Sequence, residues 1–425
     1  MIVYAEAMSF ARLLSLALSA ALLVGWAGPV AATNTTEDTP LRVTLHDGSV
    51  HEGRLTWKQS KLWVKGRKRR KIPYGDISMI SAPPAPTAEE LAAEFGKRAK
   101  GLGDDDLKGW LRLARWAAEQ DLSDEAAEAY EKALELDEQN AEARAGIGEL
   151  KDGGDWVAAG VILGRKRQQL AADDHDGLVG LARFCFEHQL HLEGFDLLVQ
   201  VLTRDTYHKD AIKLAKPYTR RYRQRSALRF PLAGRWKASE DKSRHHQLKA
   251  YATYALDLMK VDERGRTHRG RGRELSDYFT WDQPFYAVAD GTVVEVRDGN
   301  PDNPVGQIGD AHEKHNGVSL DHGNGELSWY VHAKKGSIRV KLGDKVKRGQ
   351  ILGTVGNSGG SALPHLHYTL ISHRRLSVPW RCESFRIVAP DGTPIPVRDT
   401  WPREGWTIEA AEPEPVGGAT QEKKK

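Results

Sequence analysis

The chain of 425 residues, at about 150 residues per domain, is long enough for two to four folded units. Its 40% hydrophobic and 28% charged residues exclude a polytopic membrane protein, a collagen-like chain and general disorder. With 62 Lys and Arg against 58 Asp and Glu, the net charge of +4 is too balanced for a protein whose main partner is nucleic acid, so no nucleic acid partner is expected. The distant cysteines Cys185 and Cys382 predict separate buried thiols, neither a disulfide framework nor a cysteine-based zinc site.

The N-terminus has the pattern of an export signal. A largely apolar run from Leu13 to Val24 follows Arg12, and small residues close the segment at Val30-Ala31-Ala32. The run is too short to cross a bilayer comfortably, so no stable membrane span is expected after cleavage. Residues 1–32 are therefore predicted to be a signal peptide, and the mature protein to be periplasmic or held in the cell envelope.

Residues 33–84 alternate between apolar and polar positions, as at Val43 and Leu45, with turn signals between the runs. This pattern predicts a small β domain of barrel-like form. The run from Lys65 to Lys71 is positive at every position except Gly66, on a predicted hairpin turn. A solvated turn explains such a run most simply, and the alternative is attraction to an anionic polymer such as a cell-wall polysaccharide or nucleic acid.

Residues 85–225 begin in a short proline-rich linker and continue as a segment rich in Ala, Leu, Glu and Lys, which predicts helices. Leu113-Ala114-Arg115 recurs as Leu181-Ala182-Arg183, and Leu134 recurs as Leu202, at the same offset along the chain. This offset matches two tetratricopeptide helix pairs of about 34 residues each. The segment therefore predicts tetratricopeptide-like repeats, whose concave face would bind a protein partner.

The last third of the chain carries the residues suited to metal chemistry. In His365-Leu366-His367 the two histidines lie two positions apart, so on a strand both imidazoles point to the same face and can converge on one site. Zinc is held well by imidazole nitrogen together with a carboxylate. An isolated pair of this kind fits a structural role equally well. A third histidine, His332, ends a predicted strand that reads W-Y-V-H, and it favours a metal site.

The stretch from Pro284 to Tyr368 resembles the lysostaphin-like (LytM-type) zinc metalloendopeptidases, which cut peptide cross-links in bacterial cell walls. The collinear motifs that carry the resemblance are A-V-A-D-G-T-V-V, Y-V-H, G-D-K-V-K-R-G-Q-I-L-G, V-G-N-S-G and P-H-L-H-Y. The resemblance implies a C-terminal antiparallel β peptidase domain over residues 226–395, with Zn2+ as cofactor and peptidoglycan stem peptides as the partner that is cut. It also implies that His367 binds zinc and that His332 and His365 assist catalysis.

One part of the family pattern is missing. The family usually supplies its first two ligands as H-x-x-x-D, and the matching slot here begins with Arg273, which cannot bind zinc because its guanidinium stays protonated. His246, and Asp257 in Y-A-L-D-L, resemble a divergent subgroup in which a loop supplies the histidine and a strand the aspartate. An aspartate between two leucines is costly to bury without a cation or hydrogen bonds. The predicted metal ligands are therefore His246, Asp257 and His367, with the alternative His245 and the further candidates Asp277, Asp282 and His268.

The predicted fold class is multidomain α+β, with a disordered tail over residues 396–425. The leading functional hypothesis is an exported zinc metalloendopeptidase that hydrolyses peptidoglycan cross-links. In that case the metal would activate a water and polarise the scissile carbonyl, while His365 and His332 orient or deprotonate the water and stabilise the oxyanion.

Two other function classes stay open. The first is a catalytically inactive scaffold of the same fold that binds cell wall or activates another hydrolase, as degenerate members of the family do. Inactive members commonly lose His332, His365 or His367, and all three are present here, which favours the enzyme. The second is a protein that works through its helical repeats, in which case removal of the C-terminal domain would leave function intact.

Overall fold

The computed structural model describes residues 40–66, 68–84, 86–120, 122–188, 190–239, 246–309, 314–372 and 375–413. The predicted signal peptide, the alternative ligand His245 and the last twelve residues of the predicted tail lie outside the described residues. The chain divides into two compact units, one holding residues 85–143 and the other holding residues 32–84 and 144–425.

The N-terminal strands follow the alternation read from the sequence. Leu62 and Val64 are buried while their neighbours Lys61 and Lys65 are exposed. The five strands are β1 (Leu41–Leu45), β2 (Val50–Trp57), β3 (Lys61–Lys65), β4 (Arg69–Pro73) and β5 (Ile77–Ser81).

The helical segment begins at a complete capping box, in which Thr87 and Glu90 each bind the other's backbone N–H. Its helices are α1 (Ala88–Ala99), α2 (Leu107–Glu119), α3 (Ser123–Leu136), α4 (Ala141–Gly146), α5 (Ala159–Gln168), α6 (His175–Glu187), α7 (His191–Arg204) and α8 (Lys209–Arg220). Between α4 and α5 lies the hairpin of β6 (Glu149–Asp152) and β7 (Asp155–Ala158).

The internal repeat of the sequence corresponds to a repeat of helices in the structure. α2 is equivalent to α6, α3 to α7 and α4 to α8, and the starts of each pair are separated by the same offset as the sequence repeat. In each copy an aspartate accepts a hydrogen bond from the glycine three residues later, Asp106 from Gly109 and Asp174 from Gly177, both at 2.8 Å. The first copy lies mostly in the smaller unit and the second in the larger one. The assignment of these helices to the tetratricopeptide class stays a prediction.

The C-terminal part of the chain is built of antiparallel strands, most of them short. They are β8 (Gly234–Ala238), β9 (Leu256–Lys260), β10 (Pro284–Tyr286), β11 (Gly291–Arg297), β12 (Gly317–Asp321), β13 (Glu326–Val331), β14 (Lys345–Val346), β15 (Ile351–Thr354), β16 (Leu366–Ser372), β17 (Ser377–Val378), β18 (Cys382–Val388), β19 (Pro394–Thr400) and β20 (Thr407–Ala410).

The main sheet runs through the whole larger unit, in the order β14-β11-β12-β13-β16-β9-β8-β20-β18-β19-β5-β1-β2-β3-β4, with β17 beside β16. The predicted barrel-like form of residues 33–84 is not confirmed, because the strands described there continue the main sheet. β5 pairs in parallel with β19, so that Ile80 lies opposite Val397. Side chains of both regions also share one hydrophobic core.

The predicted start of the disordered tail at residue 396 is also wrong. Most of β19 and all of β20 lie beyond that point, and Val397 and Ile408 are fully buried. Pro394 and Pro396 take exposed positions that alternate with buried ones, Ile395 and Val397. Among the helices of the described residues, none is long and apolar enough to cross a membrane.

Candidate metal centre

The centre of the candidate site is a cross-strand pair. β9 and β16 are antiparallel, and Asp257 lies directly opposite His367. Because Leu256 and Leu258 flank the aspartate and fill the core, alternation places the carboxylate on the other face of the sheet. The Nδ1 atom of His367 lies 3.0 Å from Oδ1 of Asp257.

His246 completes a group of three potential ligands. It lies in a 3-10 turn over His246–Leu248, its side chain is buried, and its Nε2 is 3.4 Å from Oδ1 of Asp257. One ligand atom from each of His246, Asp257 and His367 lies within 4.8 Å of the others. Two imidazoles and one carboxylate are a donor set that zinc takes in catalytic sites, so the residues present fit this metal. A cation here would also compensate the buried carboxylate.

Helical residues hold the segment that carries His246. The N–H of Ala250 donates to the carbonyl of Thr206 at 3.0 Å, and the N–H of Ser377 donates to the carbonyl of Ala250 at 2.9 Å. Farther along, the hydroxyl of Tyr254 lies 3.1 Å from that of Thr219 in α8. The loop that supplies the histidine is therefore fixed between the second helical copy and the sheet.

His365 and His332 lie beside the potential ligands. The Nε2 atom of His365 is 3.4 Å from Oδ1 of Asp257, and its Nδ1 is 2.8 Å from the carbonyl oxygen of Leu363. The Nδ1 of His332 is 2.7 Å from the carbonyl of Ser358, and its ring centroid lies 4.6 Å from that of His365. A carbonyl only accepts, so in both rings Nδ1 carries the proton, and Nε2 of His365 faces the Asp257 carboxylate.

The loop after β15 supports both of these histidines. The hydroxyl of Ser358 accepts the N–H of Asn316 and donates to the carbonyl of Ala333, each at 2.9 Å. The hydroxyl of Ser361 lies 3.2 Å from Nδ1 of His365. His332 itself has a φ of 69°, a strained conformation for a non-glycine residue, which these contacts hold in place.

The histidines of the site differ in the direction of their pKa shifts. Burial lowers the pKa of His367 to about 4 and holds the pKa of His332 well below its usual value, so both rings are neutral and able to donate a lone pair. Burial also acts on His365, but the carboxylate of Asp257 outweighs it and raises the pKa of that ring. The pKa of Asp257 is itself held well below its usual value, because the adjacent His365 and His246 outweigh its burial.

The further candidate ligands Asp277, Asp282 and His268 lie outside the group of His246, Asp257 and His367. The Asp277 carboxylate accepts the N–H groups of Arg273 and Glu274, and therefore caps a 3-10 turn. The Asp282 carboxylate binds Lys334 at 2.6 Å and Thr354 at 2.7 Å. The Nδ1 of His268 is 3.3 Å from the carbonyl of Arg269. Within the described part of the chain, none of these three belongs to a group that can hold a metal.

The fold and the site together define a protein of helices and a large sheet that brings His246, Asp257 and His367 together as a group that could hold a metal ion. Residues 277–379 match the model of Peptidase family M23. The C-terminal part of the chain therefore contains a peptidase M23 domain. The matched range includes His332, His365 and His367, whereas His246 and Asp257 precede it.

Curated relatives match the chain over part of its length. It is 33% identical over 154 residues to the peptidoglycan DD-endopeptidase ShyA of Vibrio cholerae serotype O1, covering 36% of this chain and 29% of the relative. It is 37% identical over 87 residues to the glycyl-glycine endopeptidase ALE-1 of Staphylococcus capitis, covering 20% of each. The chain thus spans less than a third of the length of these relatives.

Among solved structures, a putative peptidase M23 from Pseudomonas aeruginosa is similar at 24% identity and a TM-score of 0.23. The match covers 39% of this chain and 56% of that one.

Proposed function

We propose that this protein is a zinc-dependent endopeptidase that hydrolyses peptide cross-links of peptidoglycan in the cell envelope. The observation that carries the proposal is the convergence of His246, Asp257 and His367 within 4.8 Å, with His332 and His365 beside them. The M23 match and the names of the relatives ShyA and ALE-1 support the substrate class. The signal-like N-terminal sequence supports export to the compartment where that substrate lies.

In the proposed reaction, His246, Asp257 and His367 hold zinc, which when bound activates a water and polarises the scissile carbonyl. The Nε2 atoms of His332 and His365 are the positions that accept a proton from the attacking water. A ring that has taken up this proton is a cation, so it stabilises the tetrahedral oxyanion and then returns the proton to the leaving amine. The carbonyls of Ser358 and Leu363 fix the orientation of each ring by accepting the Nδ1 proton.

The test begins with metal content, measured by mass spectrometry on residues 33–425 and on the His367→Ala and Asp257→Ala variants. We expect about one zinc per chain in the parent protein and its loss in both variants. His246→Ala should lose zinc too, whereas His245→Ala should retain it, which decides the ligand register. Cleavage of a soluble cross-linked muropeptide should follow the zinc content. A parent protein without zinc after reconstitution would favour the inactive scaffold instead.

The helical repeats have a separate proposed role. We assign α2–α3 and α6–α7 to tetratricopeptide-like hairpins that bind a protein partner and so direct the peptidase. Their support is the structural repeat of helices, capping aspartates and ion pairs at the same offset, Arg115 with Glu142 and Arg183 with Asp210. Capture of a partner by a chain with intact helices, and its loss on removal of α2–α3, tests this role.

A further inference from the structure

The outer face of the sheet formed by β2, β3 and β4 is strongly cationic. Alternation directs Leu62, Val64 and Ile72 into the core. The opposite face, here called the cationic face, carries the exposed cationic residues Arg54, Lys61, Lys65, Arg69 and Lys71, and at its edge one carboxylate, Glu52, which pairs with Arg42. Trp63 lies in the middle of these cations.

The cationic face contains like charges in directly opposed positions, which destabilise the folded state. Arg54 lies directly opposite Lys65, and Lys65 directly opposite Arg69, so three cations form one row across three strands. Neighbouring strands are only about 4.8 Å apart, and like charges in directly opposed positions are destabilising. In the described part of the chain, no carboxylate forms an ion pair with Lys61, Lys65, Arg69 or Lys71. An external anion bound at this row would offset the repulsion between its cations.

The cations that cover the Trp63 ring indicate which kind of anion the cationic face can bind. The Arg69 guanidinium lies 3.7 Å from the centre of the Trp63 ring, and the Lys71 ammonium lies 5.1 Å from it. This cation–π contact covers the ring and fixes the Arg69 side chain on the surface. A covered ring is not available for stacking on a nucleobase, the contact that single-stranded nucleic acid sites use. The face is therefore suited to recognition by charge.

We propose that the cationic face binds the carboxylate groups of peptidoglycan and so holds the polymer on the enzyme. This inference rests on the proposed function, because it takes the same polymer as the ligand. The face and the metal centre belong to one compact unit with a continuous sheet and a shared core. Binding at the face would raise the effective concentration of cross-links at the metal centre. The effect applies to the intact polymer and not to small soluble fragments.

The test measures co-sedimentation with purified peptidoglycan sacculi, using the mature chain of residues 33–425 made inactive by His367→Ala. A chelator-treated parent chain gives a second inactive form. The variant Arg54→Gln/Lys65→Gln/Arg69→Gln removes the cation row. Its matched control, Lys108→Gln/Lys209→Gln/Lys213→Gln, loses the same charge from exposed helical positions.

We expect the cation-row variant to bind sacculi about tenfold more weakly than the parent, and the control to bind within about twofold of it. Binding should weaken with added salt and be lost on sacculi whose carboxyl groups have been amidated.

Three results would overturn the proposal. They are unchanged sacculus binding by the cation-row variant, equal binding of the parent to amidated sacculi, and tighter binding of the parent to a DNA duplex than to sacculi. In the active background, the cation-row variant should cleave a soluble muropeptide at the parental rate and intact sacculi more slowly. Failure of the parent to cleave either substrate would refute the proposed peptidase function, while the binding measurements would still decide the role of the face.

Discussion

At the residue scale, the metal centre depends on one carboxylate that three imidazoles surround. Asp257→Asn keeps the size of the side chain but removes the charge, so we expect zinc affinity to fall by at least about 100-fold, beyond the cost of losing an outer partner. Asp282→Asn is the matched control, because Asp282 lies at a φ of 61°, a conformation that asparagine tolerates. Competition with a chromogenic chelator measures both affinities. Equal zinc affinity in the two variants would remove Asp257 from the ligand set.

His332 should act on the reaction and not on the metal. Its Nδ1 is held by Ser358, and it is not one of the three grouped ligands, so we expect His332→Ala to retain zinc. Muropeptide cleavage should fall by about 10²- to 10⁴-fold, the usual contribution of a general acid or base. His268→Ala, in the arginine-rich loop, should change neither quantity. If His332→Ala lost zinc together with activity, His332 would be a ligand or a structural support.

Local geometry identified part of the site from the sequence, whereas the family resemblance supplied His246 and the roles of the histidines. His365 and His367 converge because side chains two positions apart on a strand point to the same face. The leucines on either side of Asp257 marked this aspartate as unusual in the sequence. Ser358 and Asn316 could not be found in this way. They are far apart in the chain, and each becomes relevant only when the fold brings the β15–β16 loop against the start of β12.

At the element scale, two glycines of α6 provide a matched pair. A Cβ at Gly177 would lie 2.3 Å from Oδ2 of the capping residue Asp174, whereas a Cβ at Gly180 would meet nothing within 4 Å. We expect Gly180→Ala to raise the free energy of unfolding by about 0.5–1 kcal/mol, because alanine favours the helix. Gly177→Ala should lower it by about 1 kcal/mol, because the lost cap outweighs that gain. Urea unfolding followed by far-ultraviolet circular dichroism measures both, and an equal gain in both would mean that the cap contributes nothing.

The helices were the most predictable elements because their signals are local. The repeat offset read from the sequence is also the offset between equivalent helices in the structure. The strands β19 and β20 gave no comparable signal, since β19 carries two prolines and β20 has only four residues. What stabilises β20 is its pairing with β8, which lies far earlier in the chain, and no local pattern encodes that partner.

At the scale of the whole molecule, β5 and β19 join sequence regions near opposite ends of the chain into one sheet and one core. Ile80 is fully buried at this junction, whereas Val50 on β2, two strands away in the sheet, is 41% exposed. We expect Ile80→Ala to lower the free energy of unfolding by about 2–5 kcal/mol, and Val50→Ala to change it by less than about 0.5 kcal/mol.

The effect of Ile80→Ala on zinc release distinguishes a shared core from two separate domains. If the core is shared, unfolding of the N-terminal strands and release of zinc occur in one cooperative transition. The midpoint of zinc release, followed with a chelating dye during heating, should then fall in Ile80→Ala together with the midpoint of tryptophan fluorescence. A variant whose fluorescence midpoint fell while zinc release stayed at the parental temperature would show that the N-terminal strands fold as an independent domain. That result would support the small β domain predicted from the sequence over residues 33–84. The β5–β19 pairing would then stabilise the structure too little to make the N-terminal strands and the metal centre unfold together.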